Sequence, residues 1–133
     1  MTALTSAVDL HVEQSVAHVR LTSPRSGNAF DLELTEGLRL AARRLRTESS
    51  VRAVLVTADG DTFSRGGDVS HFATHDAADY PDVFGDLMDR ISEALLDLQQ
   101  LDAPVVVAVQ GWVVGAGLCL VGAADVVLAA DDA

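Results

Sequence analysis

The chain of 133 residues combines an apolar composition with a large excess of acidic side chains. Apolar residue types make up 49% of it, which is enough to bury a core and argues against intrinsic disorder. Twenty acidic against nine basic residues give a net charge of -11, a field that repels phosphate backbones and argues against nucleic-acid binding. All the basic residues are arginine, so an anion held by a side-chain cation must use Arg or His.

Length and cysteine content limit the architecture and the kinds of site. The length corresponds to one domain, or to part of a larger one. Cys119 is the single cysteine, which excludes an internal disulfide and a cysteine-based zinc site. No His, Asp or Glu spacing suggests another metal site, so we expect no metal. The first residues have no signal-peptide pattern, so the cytoplasm is the expected location.

In the first half of the chain, the hydrophobic pattern predicts two strands, a helix and a third strand. Alternating apolar and polar residues predict strands at 10–14 and 16–21, followed by a loop at 23–28. Asp31 is placed to cap a helix that runs to about Thr47. The apolar run 51–57 predicts a buried parallel strand. The helix carries its apolar stripe at Leu34, Leu38, Ala41 and Leu45.

The second half is predicted to alternate helices and buried strands after a polar loop at 58–76. A long helix is predicted at 81–101, then a strand at 105–109 and a short helix at 117–123. A third buried strand is predicted at 125–129. This alternation indicates an α/β architecture with parallel strand pairing.

The uncharged stretch 103–124 is long enough to cross a bilayer, so a membrane helix is an alternative for it. Its flanks are acidic, and no arginine follows Arg90, whereas membrane helices have basic cytoplasmic flanks. Pro104, Gln110 and several glycines interrupt the run. A buried strand, a glycine loop and a short buried helix therefore explain it better, and no membrane partner is expected.

Two glycine-containing loops, 63–68 and 111–117, follow predicted parallel strands. The carboxyl ends of such strands carry the ligand site in many α/β proteins. Glycine lets the main chain approach a ligand closely, and a helix start leaves N–H groups unpaired. Two converging N–H groups form an oxyanion hole. From the pattern alone, plain structural turns remain an equal alternative. A dinucleotide site is disfavoured because Leu120 replaces the third glycine of the fingerprint that starts at Gly115.

Four segments stand in a characteristic order: SPRSGNAF at 23–30, FSRGGDV at 63–69, APVVVAVQG at 103–111 with GAG at 115–117, and ADVVLA at 124–129. In order and spacing they resemble the enoyl-CoA hydratase/isomerase (crotonase) family over almost the whole chain. The resemblance implies a spiral of ββα turns that forms one partial domain over 1–133 and stops before the C-terminal helices. It also implies an acyl-CoA substrate, with coenzyme A as part of that substrate and no separate cofactor.

The resemblance implies that the backbone N–H groups of Gly67 and Ala116 hold the thioester oxygen as it becomes an enolate. Arg25 falls where the family often has a basic residue near the CoA phosphates or adenine. Further substrate or CoA contacts are expected from Arg65, Gly66, Asp68, Trp112 and Gly115. Trp112 and Phe72 are candidates for lining an acyl pocket, with plain core positions as the alternative. Asp68 has a structural, helix-starting role as its alternative, and His71 and His75 are either acid–base groups or solvated loop residues.

The sequence departs from the family at Cys119, which occupies the position of the hydratase glutamate. A thiol cannot position water as a carboxylate does, and we expect a buried, inert cysteine rather than an activated nucleophile. The second family glutamate and the helices that complete the trimer would follow residue 133. The alternative is therefore a catalytically silent CoA-binding or oligomerisation subunit. A homo-oligomer, trimer or hexamer, is expected only where the C-terminal part is present.

Overall fold

The computed structural model describes residues 2–70 and 72–133, except for the side chain of Phe72. The described residues form a six-stranded sheet whose strand order in space is the order along the chain. The strands are β1 (Thr2–Ala3), β2 (Val8–Glu13), β3 (Val16–Leu21), β4 (Ala53–Ala58), β5 (Val105–Val109) and β6 (Val126–Ala129). The α-helices are α1 (Leu32–Leu45), α2 (Tyr80–Gln99) and α3 (Ala116–Gly122), with short 3-10 turns at Pro24–Ser26, Phe72–Thr74 and Ala77–Asp79.

The sheet begins with antiparallel strands and continues with parallel ones. β2 and β3 form a hairpin around Gln14 and Ser15, whose φ angles of 48° and 67° suit a tight two-residue turn. His11 and His18 lie opposite each other on this hairpin, with ring centroids 6.5 Å apart. From β3 to β6 all pairs are parallel, and a helix lies in each crossover. The α/β prediction is therefore confirmed.

α1 packs against the sheet, and α2 packs against α1. Asp31 caps α1 as predicted, because its carboxylate accepts a hydrogen bond from the Leu34 N–H at 2.8 Å. The α1 stripe packs against β2, β3 and α2. α2 starts one residue before the prediction and ends two residues earlier, and β4 starts at Ala53 rather than at 51. From these elements the core takes Val8, Val19, Leu34, Leu38, Val54, Val56, Ile91, Leu98 and Val107.

The predicted burial of the last strand and of the last helix is wrong. β6 pairs with β5, but all four of its residues are exposed, because it is an edge strand of the sheet. In α3 only Gly117 and Leu120 are buried, while Leu118 is 58% exposed. Apolar residue type predicted the secondary structure correctly at both places and the burial incorrectly.

The uncharged stretch 103–124 is divided between β5, a glycine loop and α3, as the sequence predicts. Within residues 2–70 and 72–133, no helix has the length and hydropathy of a membrane span.

Candidate active site

The two glycine-containing loops lie against each other at the carboxyl ends of β4 and β5. The Ser64 N–H donates to the Trp112 carbonyl at 3.1 Å, and the Val114 N–H donates to the Ser64 carbonyl at 3.0 Å. The Phe63 N–H donates to the Gln110 carbonyl at 3.0 Å. These bonds extend the β4–β5 pairing into the loops and hold the backbones at residues 66 and 115 next to each other.

Gly66 and Gly115 make this close approach possible. Both have positive φ, +85° and +54°, a conformation that side chains disfavour. A Cβ at Gly66 would lie 2.9 Å from the Val114 carbonyl oxygen and 3.4 Å from the Ala116 nitrogen. A Cβ at Gly115 would lie 3.5 Å from the Gly66 Cα. Backbone packing and positive φ thus both favour glycine at 66, whereas at 115 the positive φ alone favours it.

Two N–H groups remain unpaired where the loops meet. The Gly66 N–H donates to the Ser64 hydroxyl. The Asp68 N–H donates to the Phe30 carbonyl, and the Gly117 N–H donates to the Val114 carbonyl. In the part of the chain that the structure describes, the N–H groups of Gly67 and Ala116 donate to no protein acceptor. Gly67 follows a positive-φ glycine, and Ala116 is the first residue of α3, where helical N–H groups have no partner within the helix. Two free donors therefore flank one junction.

Gly67 and Ala116 both line a cavity of about 430 Å³ between the glycine-containing loops and α2. We call it the acyl cavity, because the sequence resemblance implies an acyl-CoA substrate. Its wall on α2 consists of Phe84, Leu87, Met88, Ile91, Ser92 and Leu95. Val69 and Gly115 complete it on the loop side. An apolar cleft with a few polar groups aimed into it is the common form of a small-molecule site.

Cys119 also lines the acyl cavity and is exposed, so the expectation of a buried cysteine is wrong. The reason is the register of α3, which turns Gly117 and Leu120 toward the protein and Cys119 toward the opening. Of the described residues that line this cavity, Cys119 alone has an ionisable side chain. The position expected to hold a carboxylate thus presents a thiol to the cavity.

Sequence reasoning missed Asn28, which is fully buried and holds the loop 23–28 to the segment 59–64. Its side-chain NH₂ donates to the carbonyls of Asp59 and Thr62, each at 3.0 Å, and its side-chain oxygen accepts from the Ser23 N–H at 2.9 Å. Its own carbonyl accepts from the Ser64 hydroxyl at 2.8 Å. The one available signal was Asn after Gly in a loop, since Asn tolerates its positive φ of 49°. Asn28 therefore joins the arginine-bearing loop to the segment that carries Gly67.

Arg25 and Arg65 are two exposed cations on different loops, 23–28 and 63–68, which meet at Gly27. Arg25 lies in the 3-10 turn Pro24–Ser26 and lines a shallow depression with Ser23 and Asp31. The Arg65 side chain lies along Gly27. The backbone N–H of Arg65 donates to the Gly27 carbonyl at 2.9 Å. Trp112, by contrast, is 71% exposed and lines none of the described cavities, so the structure does not support its expected place in an acyl pocket.

A second cavity, of about 370 Å³, adjoins the first and shares Leu87 with it. We call it the acidic cavity, because its lining includes the carboxylates of Asp31, Asp68, Asp82 and Asp86. His75 lines it too, with its Nδ1 3.2 Å from the Thr74 hydroxyl. The Asp68 carboxylate accepts from the Ser70 N–H and hydroxyl, so it caps a turn rather than a helix. His71 and the Phe72 side chain lie outside the described residues.

The resolved pKa shifts fall on surface ion pairs of α1 and α2. The hydrogen bond from Arg39, at 2.8 Å, lowers the pKa of Glu36, and the same bond raises the pKa of Arg39. The hydrogen bond to Asp86 raises the pKa of Arg90. Among the described residues, no group of three or more His, Cys, Asp or Glu side chains is placed to hold a metal ion.

Comparisons with known sequences identify relatives of this chain. A sequence model of the enoyl-CoA hydratase/isomerase family matches residues 11–133. The chain is 34% identical over 119 residues to the probable enoyl-CoA hydratase echA12 of Mycobacterium leprae, covering 84% of this chain and 39% of that protein. It is 33% identical over 120 residues to the probable enoyl-CoA hydratase echA14 of Mycobacterium tuberculosis, covering 90% of this chain and 45% of that protein.

Solved structures give the same result for the fold. The enoyl-CoA hydratase of Bacillus anthracis superposes with a TM-score of 0.87 at 25% identity, over 96% of this chain and 48% of that one. A probable enoyl-CoA hydratase of Mycobacterium thermoresistibile gives a TM-score of 0.82 at 28% identity, over 96% and 51%. The chain thus spans about half the length of these structures and less than half the length of the two curated relatives.

Proposed function

Because the chain belongs to the enoyl-CoA hydratase/isomerase family, we propose that it binds an acyl-CoA thioester and stabilises the enolate of that thioester. The N–H groups of Gly67 and Ala116 donate to the thioester oxygen. The observation that carries the proposal is that these two N–H groups are unpaired and line one apolar cavity. Arg25 and Arg65, on two adjoining loops, supply exposed cations for the phosphates of coenzyme A.

The physical basis is the difference between a ketone-like oxygen and an enolate oxygen. Removal of a proton next to the thioester carbonyl places negative charge on that oxygen. Two N–H groups fixed in an apolar cavity bind the charged oxygen more strongly than the neutral one, and they need no reorganisation. One such donor is worth about 100- to 1,000-fold in rate. Since the donors belong to the main chain, glycine and alanine are sufficient at both positions.

Proton transfer must use a group outside the acyl cavity. The only ionisable group among its described lining residues is the Cys119 thiol, at the position of the family glutamate. A thiol is a poor substitute for a carboxylate that orients and deprotonates water. We therefore propose no hydration through this position. The base for isomerase-type chemistry comes from a residue outside this cavity.

The thiol of Cys119 at the position of the family glutamate favours a second candidate function. This is a catalytically silent subunit that binds acyl-CoA or joins an oligomer. The two candidates share the binding step and differ in turnover. Enolate formation by bound acetoacetyl-CoA, measured with the full chain, separates them. Binding of acetoacetyl-CoA without an increase in its enolate absorbance supports the silent subunit, and no binding of acetoacetyl-CoA or butyryl-CoA contradicts both.

Acetoacetyl-CoA tests the enolate step directly, because its enolate absorbs in the near ultraviolet. Ala116→Pro removes one donor and places the proline Cδ where the N–H hydrogen was, so the affinity for acetoacetyl-CoA is measured beside the enolate midpoint to report a steric effect. Ala116 is the first helical residue, where proline fits, and Gly115, at φ 54° and ψ -121°, has the mirror image of the extended conformation preferred before proline. Ala116→Ser is the matched control, since it keeps the N–H group. Circular dichroism checks that both variants fold.

We expect the full chain to increase the enolate fraction of bound acetoacetyl-CoA. Ala116→Pro should raise the pH midpoint of enolate formation by about two to three units, which corresponds to the loss of one donor. Ala116→Ser should leave the midpoint unchanged. An Ala116→Pro protein with a wild-type midpoint would show that this N–H group does not hold the oxygen.

A further inference from the structure

We infer that a groove between α1 and α2 binds a linear aliphatic polyamine, a chain of methylenes that carries several ammonium groups. The inference goes beyond the proposed acyl-CoA function, because it concerns a different ligand and a different part of the surface. It follows from two adjoining acid-lined cavities, from an exposed leucine that belongs to both, and from a buried hydroxyl group without a partner.

A second acid-lined cleft lies beside the acidic cavity, between α1 and α2. This α1–α2 cleft has a volume of about 330 Å³, and its lining includes the carboxylates of Glu36, Asp86, Asp89 and Glu93. It shares Asp86 and Leu32 with the acidic cavity. The two cavities therefore adjoin, and we call them together the acidic groove.

The carboxylates on the α2 side of the acidic groove lie in one row. Asp82, Asp86, Asp89 and Glu93 follow one another at spacings of four, three and four residues, which places them on one face of the helix. From Asp82 to Asp89 the row advances about 10 Å, at about 1.5 Å per residue. The negative charges of the groove are thus arranged along a line rather than around a point.

The two arginines of the α1–α2 cleft are already engaged by carboxylates. Arg39 donates two hydrogen bonds to the Glu36 carboxylate, at 2.8 Å and 2.9 Å. Arg90 donates one to the Asp86 carboxylate at 2.9 Å. These pairs neutralise two of the acidic side chains of the cleft, and the remaining acidic side chains need cations from another source.

Three carboxylates of the groove keep their charge unpaired. Within the described residues, Asp82, Asp89 and Glu93 have no hydrogen bond and no ion pair. The whole chain has a net charge of -11 and contains no lysine. Such a field attracts small cations and raises their concentration at an acid-lined surface. The groove thus offers unpaired carboxylates to a ligand with more than one positive charge.

The Thr35 hydroxyl is an independent sign of a ligand in the same cleft. Thr35 lines the α1–α2 cleft and is 2% exposed, and its hydroxyl has no hydrogen-bond partner among the described residues. A buried hydroxyl without a partner is unfavourable. A primary ammonium group has three N–H donors, and Thr35, Asp89 and Glu93 supply three acceptors that line one cleft. An ammonium ligand therefore gives the hydroxyl the partner that it lacks.

Leu32 gives the acidic groove an apolar surface between its charges. It lines both cavities and is 49% exposed. The methylenes between two ammonium groups can cover this side chain, whereas a peptide would place its polar backbone there at a cost in desolvation. In the described part of the chain, no three acidic or histidine side chains are placed to hold a metal ion. These features favour a polyamine over a basic peptide or an inorganic cation.

The length of the row of carboxylates indicates the length of the ligand. The terminal nitrogens of extended spermidine are about 11 Å apart, at about 1.2 Å per bond. This matches the advance of about 10 Å from Asp82, in the acidic cavity, to Asp89, in the α1–α2 cleft. The nitrogens of putrescine are only about 6 Å apart. Spermidine should therefore reach both cavities, and putrescine should reach one.

Calorimetric titration of the full chain with spermidine, at neutral pH and about 0.15 M salt, tests the inference. We expect one spermidine per chain, bound at least about ten-fold more tightly than putrescine because it gains one more charged hydrogen bond. Magnesium at the same ionic strength should not displace it. Equal affinity for the two amines, or displacement by magnesium, would show general counterion attraction and overturn the inference. A trilysine peptide that binds more tightly than spermidine would overturn it too, in favour of a basic protein segment.

Thr35→Val separates a built site from general attraction, because it keeps every charge of the protein. We expect it to weaken spermidine about three- to ten-fold through the loss of one hydrogen bond. Thr35→Ser is the matched control, since it keeps the hydroxyl group and should bind spermidine as the wild type does. Unchanged affinity in the Thr35→Val protein would remove the α1–α2 cleft from the site and overturn the inference.

Asp82→Asn and Asp89→Asn remove one carboxylate from each cavity and should each weaken spermidine about three- to ten-fold. Asp132→Asn is the matched control, because it removes the same charge from an exposed residue that lines neither cavity. It should change the affinity less than about two-fold. Circular dichroism checks that every variant folds. An equal loss in all three proteins would assign the binding to net charge alone and contradict the inference.

Discussion

Replacement of Asn28 should destabilise the protein about as much as truncation of a large buried apolar side chain. Its side chain makes hydrogen bonds to Ser23, Asp59 and Thr62 and is fully buried. In Asn28→Ala, the Thr62 carbonyl loses a partner in a buried place, which costs about 1–3 kcal/mol. Each of the other two bonds is part-buried and contributes about 0.5–1.5 kcal/mol. From the hydrogen bonds alone we therefore expect a loss of about 2–6 kcal/mol in the free energy of unfolding.

The backbone conformation of Asn28 adds a second cost in the alanine variant. Its φ of 49° disfavours alanine by about 1–2 kcal/mol, whereas glycine adopts it freely. Asn28→Gly should therefore be more stable than Asn28→Ala by about that amount, although both lose the same hydrogen bonds. Asn28→Asp keeps the acceptor for the Ser23 N–H but turns a carboxylate oxygen toward two carbonyls, so it should be at least as harmful as alanine at neutral pH.

Urea unfolding followed by circular dichroism, with the slope checked for constancy, measures these differences. Octanoyl-CoA affinity measured in parallel reports whether the segment that carries Gly67 has moved. An Asn28→Asp protein within about 0.5 kcal/mol of wild type would show that the side chain does not carry these bonds. Equal stability of the Gly and Ala variants would refute the contribution of the backbone.

Three further changes have defined outcomes. Thr35→Val should raise the free energy of unfolding by about 1 kcal/mol in urea titrations, because the Thr35 hydroxyl is buried and has no partner among the described residues. Gly117→Ala should cost about 1–3 kcal/mol, since its Cβ would lie 2.6 Å from the Ser64 Cβ, while Gly122→Ala meets nothing within 4 Å and should be neutral or stabilising. Glu36→Gln should lower the thermal midpoint slightly at neutral pH. Because the folded-state pKa of Glu36 lies below 4.5, the difference should be complete above that pH and vanish as the pH falls through the lowered value.

Local patterns were sufficient to predict most elements of the fold. Alternation marked β2 and β3, and the three-and-four spacing marked α1 and α2. The missed strand β1, Thr2–Ala3, is too short to have a pattern. Element ends differed by one or two residues, because terminal hydrogen bonds and caps decide them and hydrophobic spacing does not.

Burial and long-range contacts could not be predicted in the same way. Val126 and Leu128 have the composition of a buried strand, but their exposure depends on which element lies beside them. Cys119 is exposed because of the rotation of α3, and apolar neighbours in sequence gave no information on that rotation. Asn28 bonds to residues more than thirty positions away. The loop positions Gly67 and Ala116 were found through motif resemblance, and their proposed role stays a prediction until it is tested.

The sheet has a consequence for the way it can assemble. Because each strand pairs with the one that precedes it in the sequence, no strand has to be inserted between two that are already joined. The β2–β3 hairpin closes the shortest loop, and each later strand adds at a single growing edge after its own crossover. Strands can therefore be added in the order of synthesis without any topological obstacle. In the described residues, the outer edge of β6 is left unpaired.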